Sequence, residues 1–203
     1  QLRDLALATS GLLVERRGGP SVKPYQPPGL WQEVAMLASN TRFFERGMGD
    51  DLYRRSLYTY WKRAIPPPSL QAFDAPTRES CVVQRVATNT PLQALVTWND
   101  EQFVEAARVL ATRVLAEEDL DRERIEWLFR HCTSRRPRAA EIGALLKFLD
   151  AMRQRFEAQP GDAAALLEVG DSKVGRDLPA SELAAWTLLC NTVLNLHETL
   201  TQD

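Results

Sequence analysis

The sequence predicts a mainly α-helical fold: a multi-helix orthogonal bundle with long proline-rich irregular connections and at most one or two short strands. Apolar residues recur at helical spacing through most of the chain, and several of these runs begin at a capping residue. The 12 prolines are clustered, with four between residues 20 and 28 and three at 66–68. Such clusters force extended segments, so we expect helices joined by rigid irregular connections.

Length and composition indicate one globular domain. The chain has 203 residues, of which 44% are apolar and 26% charged, which is ordinary for a soluble domain. Its net charge of −2 gives no general attraction to nucleic acid, and no apolar run is long enough to span a membrane. We predict a single helical domain over residues 1–203, with a candidate subdivision near 116–120. Because it begins at Gln1 rather than Met, we expect a piece of a larger protein.

The first half of the chain is expected to hold short helices between irregular stretches. One should run from Gln1 to Glu15, stopped by the glycines and proline that follow. A second should begin at Pro28 or Gly29. A third should begin at Asp50 or Asp51 and run to about Ala64, before three consecutive prolines.

Local signals become stronger from residue 81 onward. Cys81–Val83 is predicted as a short strand or a buried turn. Thr90-Pro91-Leu92-Gln93 combines an N-cap, a proline at the first helical position and a glutamine that completes a capping box. Asn99 or Asp100 should cap a longer helix.

The second half is expected to be regularly helical. A helix should begin at Asp121, and another should extend through Ile142 to Phe156. Pro160-Gly161 should then break the chain, with Asp162 capping a short helix. The last helix is predicted from about Ala180 to Leu200.

The stretch from Leu52 to Thr90 contains six cations, two acids and several aromatic residues. On the predicted helix, Arg54, Tyr58 and Lys62 would share one face. Guanidinium groups bind carboxylate or sulfate, and aromatic rings stack on sugars, so one interpretation is a pocket for an anionic polysaccharide. The candidate ligand-binding residues are Arg54, Arg55, Tyr58, Trp61, Lys62, Arg63, Asp74, Arg78 and Arg85.

A structural interpretation of the same stretch is favoured. Asp74 and Glu79 would pair with the arginines, or the guanidinium groups would donate to carbonyls of the irregular segments. Structural ion-pair networks often imitate binding sites.

The proline-rich loop at residues 20–28 has two possible interpretations. It either docks a partner, or packs on its own helices with Tyr25 against Trp31.

The sequence predicts no catalytic residue, no metal site and no cofactor. The three cysteines form no CxxC or CxxCH motif, which argues against zinc ribbons and covalent haem. Neighbouring His131 and Cys132 diverge on a helix, whereas Cys190 and His197 share a face but lack further ligands. No serine lies in a nucleophile-elbow context.

Five ordered blocks carry a family resemblance. They read GGPSVKPYQPPGLW, LYRRSLYTYWKR-x-x-PPPS, FDAP-x-R-x-x-C, NTPLQAL-x-x-ND-x-QFVEAAR and AAWTLLCNTVLNLHETLT. Together they resemble the planctomycete-specific C-terminal domain of unknown function, planctomycete-specific domain one. One departure is His197, which stands where the family pattern has Asp.

The resemblance implies a periplasmic or secreted parent protein that often also carries a cytochrome-c-like domain. We therefore expect a non-catalytic structural or interaction domain of a large exported protein, with binding or hydrolysis of an anionic polysaccharide at segment 53–85 as the alternative. Expected partners are other domains of the same parent, including a cytochrome-c-like module, or polysaccharide, and not nucleic acid.

Overall fold

A computed structural model describes residues 1–84, 86, 88–174 and 178–201. Within these residues the chain is mainly α-helical, as predicted, with two short 3-10 helices and two isolated β-bridges in place of strands. No helix in the described ranges is both long and apolar enough to cross a bilayer. The α-helices are α1 (Leu2–Ser10), α2 (Leu30–Val34), α3 (Pro68–Ala72), α4 (Pro91–Asn99), α5 (Glu101–Glu117), α6 (Asp121–Thr133), α7 (Ala139–Ala158), α8 (Pro160–Leu167), α9 (Ala180–Leu194) and α10 (His197–Leu200).

The chain forms two compact units. The helical unit consists of Gln1–Leu13 with Thr97–Asp203, and the irregular unit is Val14–Val96. The predicted subdivision near 116–120 falls at the connection between α5 and α6, inside the helical unit. The assignment of one domain to the whole chain stays a prediction.

Helix α9 forms the centre of the helical unit. It packs against α5, α7 and α8, and its residues are buried on nearly every side. A helix that is apolar all round is expected at the centre of a bundle rather than at its surface. Its buried apolar side chains are Leu183, Ala184, Ala185, Trp186, Leu189, Cys190, Val193 and Leu194.

Arg153 on α7 ties three helices of this unit together. Its guanidinium donates to Asp121 at the start of α6, at 2.6 Å, and to Glu182 at the start of α9, at 2.7 Å. The indole of Trp186 also donates to Glu182, at 2.9 Å. The hydrogen bond from Arg153 lowers the pKa of Asp121. These partly buried carboxylates are therefore structural anchors.

A buried ion pair holds the segment after α8. Glu105 and Arg108 are each 1% exposed. Glu105 accepts a hydrogen bond from the Ser172 backbone N–H at 2.6 Å, and Arg108 donates to the carbonyls of Ser172 at 2.8 Å and Val169 at 3.2 Å. Gly170, with a φ of 87°, lies directly against Glu105. A side chain at position 170 has no room.

The capping signals at the starts of α4 and α5 are confirmed. The Gln93 side chain accepts from the Thr90 N–H at 3.1 Å, and the Thr90 hydroxyl accepts from the Gln93 N–H at 3.4 Å. Pro91 is the first residue of α4. Asp100 accepts from the Gln102 N–H at 3.0 Å. Such caps need only neighbouring residues, which is why sequence locates them well.

Several predicted helix ends differ from the structure. The first helix ends at Ser10 rather than Glu15, because Gly11 adopts a left-handed conformation with φ 86°. The last one stops at Leu194, and α10 begins separately at His197. The break after α7 is found, but Pro160 itself opens α8 and Gln159 is the N-cap, so the predicted Asp162 cap is wrong. The fixed φ and missing N–H of proline cost nothing at the first helical position.

The helix predicted from Asp50 or Asp51 to about Ala64 is wrong. The structure has a 3-10 helix at Gly49–Leu52 and another at Ser56–Tyr58, with extended residues around them. The cations of this stretch therefore do not share a helical face. The stretch at Cys81–Val83 is also neither a strand nor buried, because all three residues are exposed and outside regular structure.

Non-local backbone pairing replaces the predicted helix. Arg54 forms an isolated parallel bridge with Val14, and Thr59 forms another with Val22. The Val22 N–H donates to the Tyr58 carbonyl at 2.8 Å. These partners lie about 40 residues away in sequence, and β-branched residues favour extended backbone.

We expect Gly170→Ala to destabilise the protein by about 2 kcal/mol or more, because an added Cβ combines left-handed strain with overpacking. That Cβ would lie 2.3 Å from Cδ of Glu105. Urea unfolding measures the change. The control is Gly143→Ala within α7, where nothing lies within 4 Å of the new Cβ. It should stabilise by about 0.5–1 kcal/mol. Equal stability of the two variants would contradict the packing described.

Candidate functional site

Arg54 is a fully buried cation of the irregular unit. Its side chain is 0% exposed. Its guanidinium donates to the carbonyl of Pro20 at 3.0 Å, to that of Arg16 at 3.1 Å and to that of Gly18. The guanidinium carbon also lies 4.0 Å from the centroid of the Tyr58 ring. Arg54 thus binds three carbonyls of a glycine- and proline-containing turn that has few backbone partners of its own.

This arrangement makes Arg54 a structural clasp. The planar guanidinium presents several donors in fixed directions, which suits carbonyls converging from one turn. Tyr58 contributes at the same place, because its hydroxyl accepts a hydrogen bond from the Gly18 N–H at 2.9 Å. These two predicted site residues hold residues 16–20 against 54–58.

The neighbouring arginines lie in different surroundings. Arg55 is exposed and pairs with Glu15 at 2.9 Å, and Arg63 is exposed. Within the described ranges, Asp74 and Glu79 form no ion pair with an arginine. The predicted carboxylate pairing is therefore wrong, whereas donation to carbonyls is correct for Arg54.

Asp74 instead closes a loop. Its backbone is left-handed, with φ 57°. Its carboxylate accepts from the Thr88 N–H at 2.8 Å, from the Thr88 hydroxyl at 2.9 Å and from the Gln93 amide at 3.4 Å. The hydrogen bonds from Thr88 lower the pKa of Asp74. These hydrogen bonds join residue 74 to residue 88.

Trp61 and Arg78 form an exposed aromatic–cation pair. The guanidinium carbon of Arg78 lies 4.5 Å from the centroid of the Trp61 ring. The indole N–H donates to the Thr77 carbonyl at 3.2 Å, which fixes the ring orientation. Arg78 is exposed and Trp61 half-buried. Such a pair is able to contact a ligand from solvent.

Lys62 lies in a second aromatic cluster, together with a lysine that sequence reasoning did not select. The ammonium of Lys62 lies 4.6 Å from the centroid of the Trp31 ring, and that of Lys23 lies 5.4 Å from it. Trp31 is 2% exposed. Its ring packs edge-on against that of Phe44, with centroids 5.1 Å apart, and at a tilt against that of Tyr60, with centroids 5.4 Å apart.

Lys23 belongs to the proline-rich loop that was predicted either to dock a partner or to pack on its own helices. Within the irregular unit, Val22, Pro24 and Tyr25 are buried, and the Arg46 guanidinium lies 5.0 Å from the Tyr25 centroid. This part of the loop therefore packs on its own unit. The only signal for Lys23 in the sequence was a lysine placed between prolines. Its aromatic neighbours Trp31 and Tyr60 are brought to it by the fold.

The nine candidate residues thus separate into local groups. Arg54 joins Tyr58, Trp61 joins Arg78, and Lys62 joins Lys23, whereas Asp74 bonds Thr88. Arg85 lies outside the described residues. Their role in ligand binding stays a prediction.

Cys132 and Cys190 have surroundings typical of packing residues, whereas Cys81 is exposed. Burial raises the pKa of Cys132 to about 12 and raises that of Cys190 as well, which disfavours the reactive thiolate. His131 stacks on Trp127, with centroids 4.6 Å apart. His197 opens α10, and its Nδ1 lies 3.1 Å from the Thr201 hydroxyl. No group of three metal-ligating side chains occurs in the described part of the chain.

The model of one protein family, PSD1, a protein of unknown function (DUF1553), matches residues 1–149. The chain belongs to the PSD1 family. Four of the five sequence blocks lie inside the matched residues, which confirms the resemblance. No curated protein and no solved structure gives a significant match. PSD1 is a family of unknown function, so membership assigns no reaction.

Within this PSD1 chain, Arg54→Met should lower the free energy of unfolding by about 3 kcal/mol or more, because the fully buried side chain would no longer hold the carbonyls of Arg16, Gly18 and Pro20. Arg55→Met removes an exposed ion pair and should cost less than about 1 kcal/mol. Guanidinium chloride unfolding of both variants measures the difference. Similar losses for the two would show that Arg54 is not a clasp.

Asp74 should titrate below the ordinary range for aspartate. Because its pKa is lower in the folded than in the unfolded protein, its stabilising contribution is present above about pH 4 and is lost as pH falls through the folded pKa. Thr88→Val removes the hydroxyl donor and should raise the pKa, as followed by carboxyl-carbon NMR. Thr77→Val, which leaves the Asp74 bonds intact, is the control. An unchanged pKa in Thr88→Val would refute the assignment.

Proposed function

We propose that this chain is a non-catalytic interaction domain of a larger exported protein, and that residues 34–48 bind an acidic, partly apolar surface on another domain of that protein. The exposure of apolar side chains on the irregular unit carries this proposal. We call residues 34–48 the apolar segment.

Exposed apolar side chains are concentrated in the irregular unit. Of thirteen large apolar residues exposed among those the structure describes, eleven lie in residues 14–96. Met36 is 84% exposed and Leu37 85%. Grouped exposed apolar residues commonly mark an interaction site. The members within the apolar segment are Val34, Met36, Leu37, Phe43 and Met48.

The charge of the irregular unit favours an acidic partner. Residues 14–96 contain eleven Lys or Arg and seven Asp or Glu, a net charge of +4, although the whole chain carries −2. The apolar segment itself contains Arg42, Glu45 and Arg46, a net charge of +1. An acidic surface with apolar groups would match both features, since complementary charge speeds association and selects partners.

Two carboxylates and two thiols of the helical unit support a structural rather than a catalytic role. The hydrogen bond from Arg135 lowers the pKa of Glu141 to about 2, and Arg153 likewise holds Asp121 ionised. Carboxylates held ionised are unsuited to act as general acids at neutral pH. The buried thiols of Cys132 and Cys190 are unsuited as nucleophiles.

The export of the parent protein and the presence of other domains rest on the family resemblance. The parents of such domains usually look exported and often carry a cytochrome-c-like domain. Another domain of the same parent is therefore the partner we favour, and a cytochrome-c-like module is a specific candidate.

Substituting both Met36 and Leu37 with serine should weaken binding to the remaining domains of the parent protein by about tenfold or more, because large apolar side chains dominate protein interfaces. Calorimetric titration of the chain with those domains, produced as a separate polypeptide, measures the affinity. Binding should also weaken with added salt.

Leu120→Ser in the helical unit is the matched control, since Leu120 is 62% exposed. It should leave the affinity within about twofold of the unchanged chain. Unchanged affinity in the double serine variant, or an equal loss in Leu120→Ser, would contradict binding through the apolar segment.

Binding of an anionic polysaccharide is a second candidate function. It is favoured by the exposed Arg78 guanidinium 4.5 Å from the Trp61 centroid, because a cation beside an aromatic face matches a charged sugar. A sulfated or uronate polysaccharide that binds the chain and loses binding in Trp61→Ala would support it. Loss of polysaccharide binding in the Met36/Leu37 double variant alone would instead place that ligand on the apolar segment.

A further inference from the structure

Two lysines share one buried indole in the irregular unit. The ammonium groups of Lys23 and Lys62 lie 5.4 and 4.6 Å from the centroid of Trp31, and Lys23 also lies 5.8 Å from that of Tyr60. The chain has only four lysines. Half of them therefore converge on a single side chain.

These two positive charges lack a matching anion in the part of the chain that the structure describes. Neither Lys23 nor Lys62 forms an ion pair with a described carboxylate. The ammonium of Lys62 donates to the Thr41 carbonyl at 2.6 Å, which is a neutral partner. Two half-buried ammonium groups beside one ring, with no carboxylate partner among the described residues, leave positive charge that a bound anion would neutralise.

A buried donor lies in the same cluster. The Nε1 atom of Trp31 is buried and has no acceptor among the described residues, although the whole side chain is 2% exposed. A buried N–H without an acceptor is costly, and tryptophans in such positions usually find a partner. The cluster therefore contains several hydrogen-bond donors, and the Trp31 N–H has no acceptor among the described residues.

The backbone fixes the position of Lys23. Its carbonyl accepts from the Gly47 N–H at 2.9 Å, and the preceding Val22 exchanges hydrogen bonds with Tyr58 and Tyr60, each at 2.8 Å. A Cβ on Gly47 would lie 3.3 Å from the Lys23 carbonyl oxygen. Three separate segments are therefore locked together around Trp31, so the cluster is pre-organised.

We propose that Lys23, Lys62 and the indole N–H of Trp31 form a binding site for a small oxyanion, the sulfate or carboxylate group of a ligand. The lysines supply charged N–H donors and the indole supplies a neutral one, and an oxyanion can accept hydrogen bonds from all three. Because the Trp31 ring is covered by cations and other rings, this site takes the anionic group rather than stacking on a sugar. It is independent of protein binding through the apolar segment.

The test is a titration of the full chain with sodium sulfate, and separately with sodium acetate, against sodium chloride at matched ionic strength. Saturable binding, followed by Trp fluorescence and by calorimetry, is expected for sulfate and more weakly for acetate. Lys23→Met and Lys62→Met should each weaken sulfate binding by about tenfold, because each removes one charged donor. Trp31→Phe keeps an aromatic ring, removes the N–H and should also weaken binding in the calorimeter.

Lys147→Met and Lys173→Met are the matched controls, since both lysines are exposed in the helical unit. They should bind sulfate like the unchanged chain. The proposal is overturned if sulfate has no effect beyond chloride, if Lys23→Met and Lys62→Met retain full affinity, or if the control variants lose affinity equally. Circular dichroism of every variant verifies that loss of binding is not loss of fold.

Discussion

The buried guanidinium of Arg54 is the interaction on which the irregular unit depends. Residues 14–96 contain few long helices, so many backbone groups lack the partners that regular structure supplies. Arg54 donates to the carbonyls of Arg16, Gly18 and Pro20 while its bridge to Val14 pairs the two backbones. A buried charge is expensive to desolvate, and it is tolerated here because several oxygens converge on it.

The same clasp orders the residues of the candidate sites. Arg54 and Tyr58 hold residues 16–20, and the next bridge aligns Val22 with Thr59. Lys23 and Lys62 follow these paired positions closely in sequence, which brings both to Trp31. One arginine of the cation-rich stretch thus acts as a structural residue, and one lysine of that stretch takes part in the proposed oxyanion site. Composition alone did not separate these roles.

The sequence predicted local contacts better than contacts between distant residues, for a physical reason. The capping box at Thr90 and the cap at Asp100 involve residues three or fewer positions apart, and both are confirmed. The failed helix at residues 51–64 has plausible apolar spacing, but its backbone groups pair with Val14 and Val22. Lys23 was missed because its neighbour Trp31 is shared with Lys62 only in the folded chain.

The family resemblance was also visible in the sequence, since four ordered blocks lie within the residues matched by PSD1. The geometry of the site was not visible in the sequence, because a block that matches a family pattern does not reveal which of its cations is buried. Arg54 and Arg55 are adjacent in sequence, yet one is enclosed by carbonyls and the other faces Glu15 in solvent. Only the direction of the backbone at these two residues distinguishes them.

Amide hydrogen exchange at the paired backbone positions tests the role of Arg54 most directly. The N–H groups of Val22 and Tyr60 bond across the second bridge, each at 2.8 Å. If Arg54 holds this unit together, Arg54→Met will speed exchange at both amides, whereas Arg55→Met will leave their rates unchanged. Unchanged protection of Val22 and Tyr60 in Arg54→Met would contradict the account.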